Sequence, residues 1–433
     1  MSLRSPLLVC VVLAVVGAGC PGPLVNAPPD EGEGEADAGG EGEGDAEGEG
    51  EGEGEGEGEG EGEGEGDTPQ GAAFFDVAML HHVEVTVAAE HLDTLDNDTS
   101  VRVPATLTYD GITVTSVGLK KKGQSTLRPL AEKPSFSVKI DDAIDGQDID
   151  GVERFALNNT VMDPSFLSEP LTYLVYRQAG LPAPRTAHAV LRFNGEVKGV
   201  YVVVEAINKE FLRRAYGDGD GNLYEGPWDF SHDPADAELK DEDEGRARDD
   251  LVALTNAVRD ADDATLEAAL VPHLDVEQAL RFFAVEMAFC LWDGYAIAAW
   301  NYYLYRVPPA STSGSAGRFV FLPHGADWPY WHADLDPLVV DFRPWGSEYP
   351  PGELAVAMST GSFAARYLEA LRQVRDQALV SEPLLTHIDV VGAALHGADT
   401  TNGTLDAEVA GFDDAVQEVR EFVVDRRAFL DGY

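Results

Sequence analysis

The segment AFCLWDGYAIAAWNYYLYR spans residues 288–306, and the segment GRFVFLPHGADWPY follows at residues 317–330. An apolar helical run ends shortly before Asp293, and two segments rich in alternating aromatic residues predict the strands of a hairpin. Asn301 stands at the start of the first strand, and Asp327 follows the second. Three oxygen-bearing side chains are therefore expected at the ends of neighbouring elements.

This set of side chains suits a divalent cation. Mg²⁺ prefers a few protein oxygens together with substrate phosphates. In one interpretation Asp293, Asn301 and Asp327 all bind the metal, and in another Asp293 is a base while the other two hold the metal. The alternative is that these residues have only structural roles, in which Asp293 ends a helix, Asn301 starts a strand and Asp327 lies in a turn, since loops tolerate Asp and Asn well.

The first nineteen residues predict a lipoprotein signal peptide. Arg4 precedes PLLVCVVLAVVGAG, an apolar run that is short for a transmembrane helix and ends in small residues directly before Cys20. Lipid attachment to the thiol of Cys20 would anchor the chain to a membrane without a span. The alternative is an ordinary signal peptide with an incidental cysteine. We expect a lipid-anchored, extracytoplasmic protein of the bacterial cell envelope.

Residues 20–70 predict a disordered acidic tether. From Glu31 to Gly66 the chain is almost pure Glu-Gly, so it buries too little to offset the entropy of ordering. Its like charges repel and extend it. A solvated spacer that lifts a domain off the membrane is the favoured interpretation, and Ca²⁺ binding is a less specific one.

The charge of the chain limits its partners. The formal charge is −48, and without residues 1–67, which hold 19 acidic residues and one basic residue, the remainder still carries −30. Nucleic-acid binding needs a basic surface and is therefore not expected. Contact with the membrane is expected through the lipid anchor only. Nucleotide binding remains compatible with this charge, because a metal ion and a few lysines can reverse the field within one cleft.

The three cysteines predict no internal disulfide. Cys10 lies in the signal peptide, Cys20 is the expected anchor, and Cys290 stands alone in an apolar helical run. Stability must then come from burial, for which a domain of this size is sufficient. Cys290 is expected to be a small buried hydrophobe. Separately, the protein is expected to be a monomer.

Residues 71–205 predict a β-rich region. The alternating segments VEVTVAA, RVPATLTYD, ITVTSVGLKKKG and PSFSVKID are separated by turn residues, with turns expected at Asp110-Gly111 and Lys122-Gly123. Asn194-Gly195 is a strong hairpin signal. In KKKGQST, at residues 120–126, Lys122 precedes a glycine and hydroxyl side chains that could cradle phosphates. The alternative is an exposed edge strand guarded by lysines.

One helix is expected in this region, starting near Ser168, because Pro170 is tolerated only in a first turn. Glu169 would then lie where its charge suits the helix dipole. Glu205 ends a nearly all-apolar strand, GVYVVVEAI. It is either placed for a partner or simply exposed at the strand end. Residues 206–433 predict a mainly helical region.

The start of one acidic loop, DGDGN at residues 218–222, matches the beginning of an EF-hand loop. Leu223 replaces the glycine expected at the sixth position, and Asp229 replaces the glutamate expected at the twelfth. A plain turn is therefore favoured over a Ca²⁺ site.

An ordered set of segments resembles the spore-coat protein H (CotH) kinase family. The segments span roughly residues 74–433 and are VGLKKKGQST, KPSFSVKI, DPSFLSEPLTYLVYRQAGLP, NGEVKGVYVVVEAI, DGDGNLYEG, LWDGY, NYYLYR, FLPHGAD and VVDRRAFL. The resemblance implies an α+β, atypical protein-kinase-like, bilobal domain over residues 71–433. Its β-rich N-lobe would cover about 71–205, and its mainly helical C-lobe about 206–433.

The resemblance also implies an activity, the transfer of phosphate from ATP to serine residues of a protein substrate with Mg²⁺ or Mn²⁺. By position, Asp293 corresponds to the catalytic-loop aspartate. Asn301 and Asp327 correspond to the residues that bind the metal ion in the family.

Three further positions follow from the resemblance. Lys133 would meet the phosphates of ATP, and Glu169 is the candidate to pair with it. Glu205 would lie near the base of the nucleotide. Such a set fits phosphoryl transfer, which depends on positioning and charge compensation.

Two positions depart from the family pattern. His324 stands where a tryptophan is frequent, and Trp300 stands where a histidine or asparagine often precedes the strand. These departures favour a second hypothesis, a catalytically inactive surface-binding or adhesion module on the same fold. A metal-dependent hydrolase that uses the same carboxylates is a third.

Overall fold

The computed structural model describes residues 70–226, 228–240, 247–326, 332–338, 340, 350–396 and 411–433. The expected signal peptide, Cys20, Asp327 and all of the expected tether except Gln70 lie outside these residues. The chain divides into two units, Met1–Glu65 and Gly66–Tyr433. All of the described residues belong to the second unit.

Seven strands in the described N-terminal part form a closed barrel, in the order β1-β2-β3-β4-β5-β7-β6. They are β1 (Leu80–Val87), β2 (Val103–Tyr109), β3 (Ile112–Lys122), β4 (Ser135–Lys139), β5 (Arg154–Asn158), β6 (Thr186–Phe193) and β7 (Glu196–Glu205). Neighbouring strands are antiparallel, except that β1 runs parallel to β6 and closes the barrel. The predicted β-rich region is confirmed, but β3 pairs on both sides, so the interpretation of an exposed edge strand is wrong.

Two tight hairpins have the residues that their turns demand. Asp110-Gly111, with φ of 46° and 85°, joins β2 to β3, and Asn194-Gly195, with φ of 48° and 83°, joins β6 to β7. Two successive positive φ angles are the geometry of a type I′ turn, which matches the twist of the flanking strands. Glycine adopts the second angle without steric cost, so both predicted turns are confirmed.

Alternation along the strands fills the barrel. Val83, Leu119, Phe136 and Leu157 belong to one buried cluster inside it. Because side chains alternate across a strand, the residue next to each of these faces outward. Lys122, three positions after Leu119, therefore also points away from the barrel interior.

The described helices lie mostly in the C-terminal part. They are α1 (Leu92–Asn97), α2 (Ser168–Gln178), α3 (Lys209–Tyr216), α4 (Asp249–Asp260), α5 (Leu266–Leu270), α6 (Val276–Phe289), α7 (Tyr295–Ala298), α8 (Glu353–Ser359), α9 (Ala364–Gln377), α10 (Ser381–His396) and α11 (Phe412–Leu430). The sequence predicted α2 with its start at Ser168, but it did not predict α1, α3, α7 or α8. The protein is thus a mixed α and β structure with a sheet-rich N-terminal part and helices C-terminally.

A four-stranded sheet lies within the helical part, in the order β11-β10-β8-β9. Its strands are β8 (Leu223–Gly226), β9 (Glu238–Leu239), β10 (Tyr302–Arg306) and β11 (Phe319–Pro323). β10 and β11 pair antiparallel, which confirms the predicted hairpin. β8 and β9 were not predicted, because each is too short to show a pattern.

Helix α6 is the centre of the helical part. Eleven of its residues are buried, including Phe282 and Phe283, which pack against Phe321 of β11. Tyr302 of β10 belongs to the same large core, whereas Tyr303 faces a smaller cluster with Phe211 of α3. The β10–β11 hairpin therefore packs against a cluster on each of its two faces, and this packing also fixes the positions of the strand ends.

Among the described helices, no single one is both long and apolar enough to cross a membrane. The segments Gly361–Gln377 and Ser381–His396 meet that requirement only as a pair, and the pair is bent by 52°.

Candidate active site

The structure brings two of the predicted site residues into contact. Nδ2 of Asn301 donates a hydrogen bond of 2.8 Å to Oδ2 of Asp293. Asp293 is only 9% exposed, so this contact lies in a largely dry setting. Asp327, the third member of the predicted set, lies outside the described residues, although Ala326 directly before it is buried.

The loop that makes this contact has an unusual backbone. Cys290, Ala299 and Asn301 have φ of 58°, 54° and 52°, in the left-handed region that side chains other than glycine seldom adopt. Cys290 ends α6, and Ala299 ends the short helix α7. Such conformations persist only where the surroundings impose them, and they cluster at functional sites.

Glu286 is one source of that constraint, and the sequence interpretation missed it. Its side chain is 1% exposed. Oε1 accepts from the backbone N–H of Tyr295 at 3.0 Å, and Oε2 accepts from that of Ala296 at 2.6 Å. Glu286 thereby holds the start of α7, which directly follows Asp293-Gly294. The available signal was an acidic residue inside the apolar run FFAVEMAF at the C-terminal end of α6, since such residues are seldom buried without partners.

The close approach of Glu286 explains the glycine after Asp293. A Cβ atom on Gly294 would lie 2.5 Å from Oε1 of Glu286, which is closer than non-bonded atoms tolerate. Burial raises the pKa of Glu286 to about 8, even though the two backbone N–H donors favour the charged form.

A small cavity of about 10 Å³ adjoins these groups. That is close to the smallest space that one water molecule needs. The cavity lies where the C-terminal end of α6, the ends of the hairpin and one side chain of α2 meet. It is lined by Tyr176, Glu286, Leu291, Asp293, Gly294, Asn301, Pro323, His324 and Ala326.

The side chain of His324, at the end of β11, contacts β8, which lies on the far side of β10 in the same sheet. Its Nε2 lies 3.3 Å from Oε1 of Glu225, and Nζ of Lys240 lies 2.6 Å from Oε2 of the same residue. Burial alone would raise the pKa of Glu225, but His324 and Lys240 outweigh it and hold that pKa well below its usual range. The ring of His324 also lies 4.7 Å from that of Tyr303, so it packs as part of the cavity wall.

Arg426 is a second residue that the sequence interpretation missed. It is fully buried on α11, and its guanidinium donates only to main-chain carbonyls among the hydrogen bonds within the described residues. The acceptors are Met287 (2.8 Å), Ala288 (2.7 Å), Ala333 (3.0 Å) and Leu335 (2.5 Å). The first two are the last carbonyls of α6, where a cation also suits the helix dipole.

Arg426 therefore joins the end of α6 to residues 333–335. Sγ of Cys290 donates to the carbonyl of His332 at 3.1 Å and joins the same two segments. Burial raises the pKa of this thiol to about 12, so Cys290 behaves as the expected buried hydrophobe. The RR pair of VVDRRAFL was visible in the sequence, but its pattern could not show which arginine points inward.

Two of the predicted nucleotide-binding residues, Lys122 and Glu169, are connected through the side chain of Asn158. Nζ of Lys122 donates to Oδ1 of Asn158 at 3.0 Å, and Nδ2 of Asn158 donates to Oε2 of Glu169 at 2.5 Å. The hydroxyl of Tyr173 donates to Oε1 of Glu169 at 3.2 Å. Asn158 is a third residue that sequence patterns did not single out.

Lys133 lies on aromatic faces. Its Nζ is 5.4 Å from the ring centres of both Phe166 and Tyr201, a geometry in which the ring quadrupoles attract the cation. The carboxylate of Glu169 accepts from Asn158 and Tyr173. The pairing of Lys133 with Glu169 stays a prediction.

Glu205 is buried, so the interpretation of simple exposure at the strand end is wrong. Oε1 accepts from Arg185 and Arg214 at 2.7 and 2.6 Å, and Oε2 accepts from the same two side chains at 3.1 and 2.8 Å. Burial would raise the pKa of Glu205, but the two arginines outweigh it and lower that pKa. The carboxylate thus ties β7 to α3, and its place near a nucleotide base stays a prediction.

The loop that begins like an EF-hand forms a turn. Oδ1 of Asp218 accepts from the backbone N–H of Asp220, and the amide of Asn222 donates to the side chains of Tyr224 and Asp250. Within the part of the chain that the structure describes, no three His, Cys, Asp or Glu side chains gather to hold a metal ion.

Fold and site together define a mixed α and β protein whose candidate catalytic aspartate is hydrogen-bonded to an asparagine at the end of a strand hairpin. More particularly, residues 119–430 match the model of the CotH kinase protein family. That match covers well over half of the chain, so the chain belongs to the CotH kinase family. The resemblance found in the sequence is thereby confirmed.

One characterised relative is the inner spore coat protein H of Bacillus subtilis strain 168, which is 24% identical over 201 residues. The matched region is 43% of this chain and 52% of the relative, so the chain spans about half of that protein. A solved complex of HipA, HipB and operator DNA from Shewanella oneidensis MR-1 matches with a TM-score of 0.33 and 10% identity, covering 81% of this chain and 73% of the other. That likeness is too low to support an argument about fold.

The raised pKa of Glu286 predicts a pH dependence of stability. In the folded state this carboxyl keeps its proton up to a pKa of about 8, whereas an unperturbed glutamate has a pKa of 4.5, so folding stability falls as the pH rises through this window. In Glu286→Gln this contribution is absent. Urea unfolding between pH 5 and pH 9 should show a decline of a few kcal/mol in the wild type and a flatter profile in the variant. Parallel profiles would contradict the assignment.

Arg426 and its neighbour Arg427 form a matched pair for a second prediction. Arg426→Met leaves four main-chain carbonyls without this donor, three of them on buried residues, and should lower the free energy of unfolding by about 3 kcal/mol or more. Arg427 is half-buried and bonds to Asp431, Asp376 and one carbonyl, that of Arg375, so Arg427→Met should cost about 1 kcal/mol or less. Urea denaturation measures both. Equal losses would show that Arg426 is not a special clamp.

Proposed function

We propose that the protein is an ATP- and metal-dependent kinase that phosphorylates serine residues of a protein substrate. The observation that carries this proposal is the Asp293–Asn301 contact at the end of α6 and the start of β10, inside the residues that match the CotH family. Phosphoryl transfer needs positioned charges more than covalent chemistry from the protein. A carboxylate, a carboxamide and nearby lysines are residues of the required types. The domain would have the bilobal, atypical protein-kinase-like arrangement that the family resemblance implies.

Asp293 would orient the serine hydroxyl and take its proton as the oxygen attacks the γ-phosphorus of ATP, with ADP as the leaving group. The hydrogen bond from Asn301 fixes the direction of the Asp293 carboxylate. Glu286 and the left-handed residues around it keep the loop from relaxing. Lys122 and Lys133 would contact the phosphates.

The donor set suits Mg²⁺ or Mn²⁺. Nδ2 of Asn301 donates to Asp293 and, at 3.4 Å, to the carbonyl of Gly325, and Oδ1 of the same amide also lies beside Gly325. A Cβ atom on Gly325 would lie 2.9 Å from that oxygen, so the glycine leaves it room. Asn301 and Asp327 would hold the metal, which would neutralise charge on the phosphates when bound.

We also propose attachment through lipid on Cys20, with residues 20–70 as the tether, on the extracytoplasmic side of the cell envelope. The apolar segment before Cys20 and the Glu-Gly composition after it support this. The acidic charge of the chain supports a monomer that neither binds nucleic acid nor docks directly on anionic lipid.

A catalytically inactive surface-binding module on the same fold is the second candidate. Two observations favour it. The cavity beside Asp293 has a volume of only about 10 Å³, and His324, where the family often has tryptophan, is fixed to Glu225.

Asp293→Asn separates the two candidates. If Asp293 orients and deprotonates the acceptor, the variant should bind Mg²⁺-ATP like the wild type but transfer phosphate about 100-fold or more slowly. Transfer from radiolabelled ATP to total protein of the envelope, and to the protein itself, is the measurement. The matched control is Asp263→Asn, which alters an aspartate in the loop between α4 and α5 that accepts from the backbone N–H of Ser362. Wild-type transfer by Asp293→Asn would contradict the role of Asp293.

A further inference from the structure

A polar connection runs from the barrel to helix α2. Lys122 is the last residue of β3, Asn158 is the last residue of β5, and Glu169 lies in the first turn of α2. The Lys122–Asn158 hydrogen bond is 3.0 Å and the Asn158–Glu169 hydrogen bond is 2.5 Å. Three elements that are remote in sequence thus meet at one carboxamide.

The strand pattern places these groups on the outside of the barrel. Leu119 and Leu157 point into its core, so by alternation Lys122 and Asn158 point outward, to the side on which α2 packs. Asn158 is 8% exposed and Glu169 is 3% exposed. Hydrogen bonds are stronger in such a setting, and an unmatched polar group costs more there.

A carboxamide suits this position because it both accepts and donates. Oδ1 of Asn158 accepts from the ammonium of Lys122, while Nδ2 donates to the carboxylate of Glu169. An aspartate could accept from Lys122 but would repel Glu169. An apolar residue would take one acceptor from Lys122 and one donor from the buried carboxylate of Glu169.

The adjacent residue, Asn159, organises the loop beyond Lys122. Its Nδ2 donates to the carbonyl of Thr126 at 2.9 Å and to that of Lys133 at 2.7 Å. Gly123, which opens this loop, has φ of 119°, a conformation that favours glycine. The two consecutive asparagines therefore hold Lys122 and two points of the segment that follows it, the carbonyls of Thr126 and Lys133.

We propose that Asn158 is a positioning residue that couples Lys122 to Glu169, so that the seating of α2 sets the direction of Lys122 towards the phosphates of ATP. This inference rests on the proposed kinase function and adds to it a residue and a mechanical link. Displacement of α2 breaks the Asn158–Glu169 bond and frees the amide to rotate. Lys122 then loses its fixed direction, and ATP binds less tightly.

An exchange of carboxylate and carboxamide tests the coupling. Asn158→Asp and Glu169→Gln, each alone, disrupt the path and should weaken Mg²⁺-ATP binding about tenfold. In the double variant the new carboxylate accepts from Lys122 and from the new carboxamide, with the total charge unchanged. Binding should return to within about threefold of the wild type. A merely structural asparagine predicts no such recovery.

The binding constants are to be measured by calorimetry on the full-length protein, with kcat and KM for ATP alongside. The matched control is Asn97→Asp at the end of α1, where the exposed asparagine donates to the main chain and the side chain of Asp93; it adds the same charge and should leave ATP binding unchanged. Wild-type binding by both single variants, or no recovery in a folded double variant, overturns the coupling. Absence of ATP binding by the folded wild type overturns the proposed function and the coupling with it.

Thermal unfolding checks each variant. If Asn158→Asp fails to fold, a second cycle uses Lys122→Met and Asn158→Ser, alone and together. Coupled residues give non-additive losses of ATP affinity, because the second change removes an interaction already lost. Additive losses overturn the proposal.

Discussion

The burial of helix α6 is the constraint on which the site depends. The apolar residues of α6 pack it against the β10–β11 hairpin. This packing fixes the position of its C-terminal end, from which the loop that carries Asp293 continues. Glu286 on the last turn caps α7, and Arg426 holds the last carbonyls. Between these two buried groups the backbone accepts left-handed conformations that would otherwise relax. The Asp293–Asn301 contact is the result.

Buried polar groups also fix the elements where the barrel meets the helical part. Their hydrogen bonds are directional, whereas apolar packing alone would let the strands and helices slide past one another. The arginine pair on Glu205 ties β7 to α3, and Asn158 ties β3 and β5 to α2. Each contact leaves a costly unmatched group if it opens. Such groups favour a single relative placement of the elements that carry candidate catalytic residues.

Local signals explain what the sequence could predict. The hairpin turns at Asp110-Gly111 and Asn194-Gly195, the start of α2 at Ser168 and the β10–β11 hairpin each follow from a few adjacent residues. The closure of the barrel by β1 and β6 does not, because that parallel pairing joins segments about a hundred residues apart. Glu286, Arg426 and Asn158 were missed because the type of each residue alone is ambiguous. The partners of Arg426 are also far away in sequence, whereas those of Glu286 lie just beyond the end of its own helix.

Calorimetric titration with Mg²⁺-ATP and Mn²⁺-ATP, on the wild type and on Asp327→Ala, measures whether the protein binds a metal–nucleotide complex, as a kinase must. We expect binding that requires one of these metals and that Asp327→Ala abolishes. Absence of binding with either metal, by a wild-type protein shown to be folded, would contradict the kinase account and leave the surface-binding module as the function to pursue.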